Sequence, residues 1–162
     1  TQGVSSAASD VYKRQKSAYA NTSAGDVTAI GYSALTANTT GAGNTALGSA
    51  SLSANTTGAT NTSFGSGALY SNSTGSGVTA IGTYSGYANT ANDNTSVGAN
   101  SFRFNTSGTK NVAVGSGIYG TDYGALGYNT TGSNNTAIGV QALLSNTTAS
   151  NNTAVGLSLI HI

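Results

Sequence analysis

The chain repeats itself every 17 residues. A column of glycines, each preceded by Ile, Leu, Phe or Val, marks the frame: Gly31, Gly48, Gly65, Gly82, Gly98, Gly115, Gly139 and Gly156. A column of asparagines, Asn38, Asn55, Asn72, Asn89, Asn105, Asn129 and Asn146, keeps the same frame. Both columns carry one single-residue deletion and one seven-residue insertion. The unit reads N-T-A-[ILVF]-G-x-x-A-L-x-x-N-T-T-G-x-x. A short fixed period implies one structural unit stacked along an axis. Function then belongs to an elongated surface rather than to a pocket.

Composition narrows this further. Charged residues make up 6% of the 162 residues, against about 25% in ordinary globular proteins. Disorder usually comes with high charge or proline, and the chain has little charge and no proline. Cysteine is absent, so no disulfide staples the fold. No apolar run approaches the ~18 residues of a membrane span, so no membrane insertion is expected. No basic patch exists, so no nucleic-acid partner is expected.

The two ends leave the pattern. Ser5–Gln15 reads SSAASDVYKRQ and Leu157–Ile162 reads LSLIHI. Both resemble translated adapter from a transposon-based sequencing library. DVYKRQ can be encoded as GAT GTG TAT AAG AGA CAG, whose reverse complement encodes LSLIHI. Residues 1–15 and 157–162 are therefore set aside as adapter-like artefacts, as library scars are. Residues 16–26 lead into a repeat region at 27–156. The exclusion removes His161, Asp10, Lys13 and Arg14, and leaves Lys16, Arg103 and Lys110 against Asp26, Asp93 and Asp122. There is no methionine, and the chain is read as an internal piece of a longer open reading frame.

The apolar signal in each unit is short: T-A-I-G or T-A-L-G, then A-L three residues later. N-T-T-G brings turn chemistry, since Asn and Thr bond locally to backbone and Gly tolerates positive φ. No window offers the ten or more residues of 3.6 periodicity that a helix needs. The prediction is all-β: a parallel β-solenoid, or β-roll, of about eight 17-residue coils, each with two short strands and two turns. Strand alternation predicts Ile30, Leu47, Phe64, Ile81, Val97, Val114, Ile138 and Val155 inside. Thr28, Thr45, Thr62, Thr79, Thr95, Val112, Thr136 and Thr153 share that face. The column Ala29, Ala46, Ser63, Ala80, Ser96, Ala113, Ala137 and Ala154 is then expected outside. A second inner column is Leu35, Leu52, Leu69, Phe102, Leu126 and Leu143, broken by Gly86 and Tyr119. The insertion is expected as a bulged loop around Gly120 to Tyr123. So few large side chains per coil suggest lateral association through the small Ala face, most simply a homotrimer.

N-N-T-A-I-G at Asn134–Gly139 and K-N-V-A-V-G at Lys110–Gly115 resemble the N-S-V-A-I-G core of trimeric autotransporter adhesin (YadA-like) head repeats. Those heads use shorter coils, near 14 residues. The longer unit is similar to repeats of phage and bacterial tail-fibre-like proteins. The resemblance covers about residues 27 to 156. It implies a homotrimeric, extracellular fibre, at a cell surface or in a virion tail, with a host-surface receptor or glycan as its outside partner.

No catalytic, cofactor-binding or metal-ligating residue is assigned, and no enzyme or cofactor is expected. G-S-G-I-Y-G at Gly115–Gly120 matches G-x-G-x-x-G but lacks the following helix and acidic residue. Eleven N-x-[ST] sequons, among them Asn38, Asn55, Asn61, Asn105, Asn129 and Asn146, recur with the repeat and read as turn residues. The aspartates are isolated, so paired-carboxylate hydrolysis and repeated acidic calcium loops lack their residues. Tyr32, Tyr70, Tyr84, Tyr87, Tyr119, Tyr123 and Tyr128 fall near the G-x-x-A-L turn, as caps on a thin core or as a receptor or glycan surface. Three readings follow. The first is a structural and adhesive segment of a trimeric fibre. The second is a single-chain ice- or surface-binding solenoid, which would need an outward Thr face. The third is a β-helix carbohydrate-active domain, which would need charged residues gathered at one coil.

Overall fold

The computed structural model describes residues 17–118 and 122–158. Residues 1–16, Tyr119, Gly120, Thr121 and residues 159–162 lie outside them. So do the N-terminal adapter-like stretch, most of the C-terminal one, and the Tyr119 break. Eight three-residue strands follow one another: β1 (Thr28–Ile30), β2 (Thr45–Leu47), β3 (Thr62–Phe64), β4 (Thr79–Ile81), β5 (Thr95–Val97), β6 (Val112–Val114), β7 (Thr136–Ile138) and β8 (Thr153–Val155). They form a single parallel sheet in sequence order. Register is strict, Thr28 opposite Thr45 and Thr45 opposite Thr62, so like residues stack on like. The protein is a parallel β-solenoid of 17-residue coils, and no helix occurs among the described residues.

Each coil has one strand rather than the two expected. The A-L segment is a turn in which Ala50 (φ 55°) and Leu52 (φ 52°) are left-handed. Such residues cost about 1–2 kcal/mol each. Backbone bonds offset that cost: Ala50 N donates to Tyr32 O at 2.7 Å, and Leu52 N to Ala68 O at 2.9 Å. Alternate amides of the turn thus bond to the coil below and the coil above, and Ser51 N between them bonds within its own coil to Gly48 O at 3.2 Å. The same path holds before the repeat region, where Ala18 stands buried in the Leu column and Ala18 N donates to Ala34 O at 2.9 Å.

The strand faces are reversed from the sequence expectation. The Ala column is fully buried at Ala29, Ala46, Ala80, Ala113 and Ala137. Ile30 is 40% exposed, Leu47 43%, Phe64 38%, Ile81 39% and Ile138 41%. The Thr column shares that outer face. The reason is size: the coil interior is too narrow for an aliphatic side chain on the strand. Across one coil the interior holds Asn44, Ala46, Ser51, Leu52 and Asn55, all at 0% exposure. The Leu column is inside, as expected. Gly86 interrupts it between Leu69 and Phe102, and fully buried Phe102 supplies bulk beside the missing side chain. Serines in the Ala column come matched: Ser63 Oγ lies 2.7 Å from Ser51 Oγ, and Ser96 Oγ lies 2.6 Å from Ser85 Oγ.

Two buried asparagine columns run the length of the solenoid. In the first, Asn61 N donates to Asn44 Oδ1 and Asn111 N to Asn94 Oδ1, both at 2.9 Å. The Nδ2 of Asn44 crosses the coil to Gly58 O at 2.7 Å. In the second, Asn55 Nδ2 donates to Asn38 Oδ1 at 2.7 Å and to Gly58 O at 2.9 Å. These bonds satisfy polar groups that would otherwise be costly to bury. Val27 and Val78 take the place of asparagine in the first column.

Two glycine columns are required by stacking. A Cβ on Gly48 would lie 2.6 Å from Gly65 C, and one on Gly58 would lie 2.3 Å from Gly75 O. At the one-residue deletion Ala91 holds the second position, and Asn89 Nδ2 reaches its carbonyl two residues on instead of three. At the insertion, Ala125 N still donates to Gly115 O at 3.1 Å, the bond that Ser51 N makes to Gly48 O at 3.2 Å. The described flanks of the insertion meet again at that point, with Asp122 N donating to Ile118 O at 2.9 Å. Phe102 therefore stacks on the coil of Leu126, with Phe102 N donating to Ala125 O at 2.9 Å.

Candidate interaction surfaces

The sequence assigns no catalytic group, and among the described residues the three aspartates stand apart from one another. Asp26 and Asp93 hold the same left-handed position of the coil, at φ 54° and 57°, four coils apart, and Asp122 lies in the inserted segment. Among the described residues no three His, Cys, Asp or Glu side chains gather where they could hold a metal. Gly115 of the G-S-G-I-Y-G stretch is a stacking glycine, whose added Cβ would meet Gly139 O at 2.2 Å. Asn38, Asn55, Asn61, Asn105 and Asn129 of the sequons are fully buried. Their side-chain amides hold turns shut, as Asn105 Nδ2 does on Gly108 O at 2.8 Å. A glycan on any of these nitrogens would displace a core hydrogen bond.

Two surfaces remain. The first is the outer sheet face. Strand register sets Thr28, Thr45, Thr62, Thr79 and Thr95 in one row, with coils about 4.8 Å apart. Beside it runs the row Ile30, Leu47, Phe64, Ile81 and Val97. Ile138 and Val155 continue the apolar row, and Val155 is 62% exposed. No charged residue lies in any strand. A row of aliphatic side chains this long is not the scattered exposure of an ordinary surface.

The second surface is aromatic and lies at the turn that follows the sheet. Tyr70 and Tyr87 occupy one coil position in successive coils, and their rings stack at 5.1 Å and 3°. Arg103 occupies that position in the next coil, with its guanidinium carbon 4.8 Å from the Tyr87 ring centre and 5.1 Å from that of Tyr84. One residue further along, Phe104 and Tyr128 stack at 5.9 Å and 9°. The insertion completes the cluster. Tyr123 meets Phe104 edge-on at 4.9 Å and Tyr128 at 5.2 Å. It folds over Gly127, where a Cβ would stand only 2.5 Å from Tyr123 Cβ. Gly67 makes room for the Tyr84 ring in the same way, with an added Cβ 2.7 Å from Tyr84 Cδ1. These rings sit outside the coil and none fills its core; Tyr70 is 41% exposed and Tyr128 43%. Tyr32 stands apart at 54% exposure. Sequence reading put these tyrosines near the turn but missed Phe104 and Arg103, which link them into one cluster. No protein-family model, curated protein or solved structure matches the chain.

Proposed function

We propose that this solenoid is a structural segment of an extracellular fibre, in which three identical chains close their outer sheet faces against one another. The observation that carries the reading is the unbroken apolar row on the outer face of β1–β8. Covering the exposed part of each large side chain stabilises by on the order of 1–2 kcal/mol. Eight such residues in one flat row suffice to offset an association cost of about 4–15 kcal/mol. A cyclic arrangement covers the row in every copy and leaves no open apolar face. The Ala column plays no part in this contact. It is interior, so the interface moves from Ala46, Ala80 and Ala137 to Leu47, Ile81 and Ile138.

Neighbouring positions test this. Ile81→Lys places a charge on the outer face, where the single coil has room for it. The expected result is an unchanged β circular dichroism spectrum and a change from trimer to monomer by light scattering. Ala80→Lys buries an unpaired ammonium and unfolds its coils. A wild-type chain that is monomeric at all concentrations refutes the reading.

The outward Thr row favours a second reading, attachment to a crystalline surface such as ice. The sequence argument against it was a Thr column turned inward, and that column is on the outside. A monomeric wild type that shapes ice crystals, with the effect lost on Thr79→Tyr, selects this reading over the trimer.

A further inference from the structure

We infer that the aromatic edge is a binding site for a neutral saccharide, seated against the outer end of the Phe104–Tyr128 stack. The rings repeat coil by coil until Ser145 stands where a third ring would be. A shallow, open and mainly apolar depression lies there, lined by Phe104, Tyr128, Thr130, Ser145 and Thr147. A partner protein would need about 800 Å² of contact per side, far more than five residues offer. The chemistry is two-sided. The Tyr128 ring presents a flat apolar surface to the C–H face of a pyranose, which then takes the place of the missing ring in the stack. Ser145 and Thr147, both exposed residues of the same lining, are the polar partners available to sugar hydroxyls. Thr130 Oγ1 already donates to Thr147 O at 2.9 Å, so its remaining role is to accept.

The one charge in the aromatic cluster is Arg103, whose NH1 donates to Asn100 Oδ1 at 2.7 Å and whose guanidinium packs among rings. It braces the platform from below rather than presenting a cation to the depression. An uncharged ligand matches this lining. The site lies on the turn edge and not on the sheet face, so it stands whether or not that face is an interface between copies.

The test is titration of the intact chain with maltohexaose, cellohexaose and chitohexaose, followed by calorimetry and by saturation transfer from the tyrosine protons. The expected result is saturable binding of at least one of them. Tyr128→Ala weakens it about tenfold or more, Tyr128→Phe preserves it, and Tyr32→Ala leaves it unchanged. An unaltered thermal melt shows that each variant is folded. No binding of any of the three up to about 10 mM, where a millimolar site is filled, overturns the inference. So does binding that Tyr128→Ala leaves intact. Displacement of a bound indole probe by an apolar peptide but by none of the sugars also overturns it, in favour of a protein partner.

Discussion

Asn105 gives the sharpest test of what holds the coils together. Its side chain is fully buried and makes four hydrogen bonds. Nδ2 donates to Asn89 Oδ1 at 2.6 Å and to Gly108 O at 2.8 Å. Oδ1 accepts from Gly108 N at 3.1 Å and from Asn129 Nδ2 at 3.0 Å. In Asn105→Ala three of these partners keep another bond. Asn94 Nδ2 still serves Asn89 Oδ1 at 3.1 Å and Gly108 O at 2.8 Å, and Asn129 Nδ2 still reaches Gly132 O at 3.0 Å. Each of those losses is worth about 0.5–1.5 kcal/mol net. The Gly108 amide is left unpaired inside the turn, at about 1–3 kcal/mol. The sum centres near 5 kcal/mol. Asn146→Ala is the control: it is half-exposed, and its Nδ2 bonds are to Asn129 Oδ1 and Ala149 O, both at 3.0 Å. It should cost about 2 kcal/mol, for two bonds at about 1 kcal/mol each. Urea unfolding of the full chain, with hydrogen exchange at Gly108 to localise the effect, measures both. Equal stabilities for the two variants refute the account of the ladder. Asn105→Asp adds a pH test. Burial raises the folded-state pKa of the new carboxyl above its unfolded value near 3.9. The folded chain then holds more protons in the window between them. Stability is highest below about pH 4 and falls as pH rises toward the folded pKa.

Two further outcomes follow from coil stacking and from the insertion. Gly48→Ala drives a Cβ to 2.6 Å from Gly65 C at a φ of 131°, and should destabilise by about 3 kcal/mol or more in thermal or urea melts; a neutral result contradicts the coil spacing. Deleting Gly117–Tyr123 restores the ordinary spacing between Gly115 and the Ala125 turn. The β spectrum should persist and stability should change by only about 1 kcal/mol, while saccharide binding, if the aromatic edge is the site, weakens with the loss of Tyr123.

The period, the parallel architecture, the Leu column and the place of the insertion were all legible in the sequence. The strand parity was not. Reading large apolar residues as interior assumes an interior wide enough to take them, and here strand and turn approach so closely that Ala and Ser fill the gap. The clue lay one residue before the Thr column. Val27 and Val78 substitute for Asn44 and its equivalents, and a position that accepts either valine or asparagine is a buried one. Alternation then puts the Asn, Ala and Gly of N-T-A-I-G on one face. Val112 in the Thr column pointed the other way, because a row bordering exposed aliphatics accepts valine too. The aromatic edge was half legible: the tyrosines near the turn stood out, but their stacking depends on Gly67 and Gly127 leaving space for rings from elsewhere in the chain.

The strict register has a mechanical consequence. Each coil advances the axis by about 4.8 Å yet contains enough chain to reach about 58 Å when drawn straight. Its bonds run only to the coil on either side, so a pull along the chain loads the outermost coil and spares the rest. Coils would peel away singly, each releasing about 50 Å of slack, net of its rise along the axis. A filament built this way lengthens in steps under tension, while every coil still stacked keeps the contacts it had at rest.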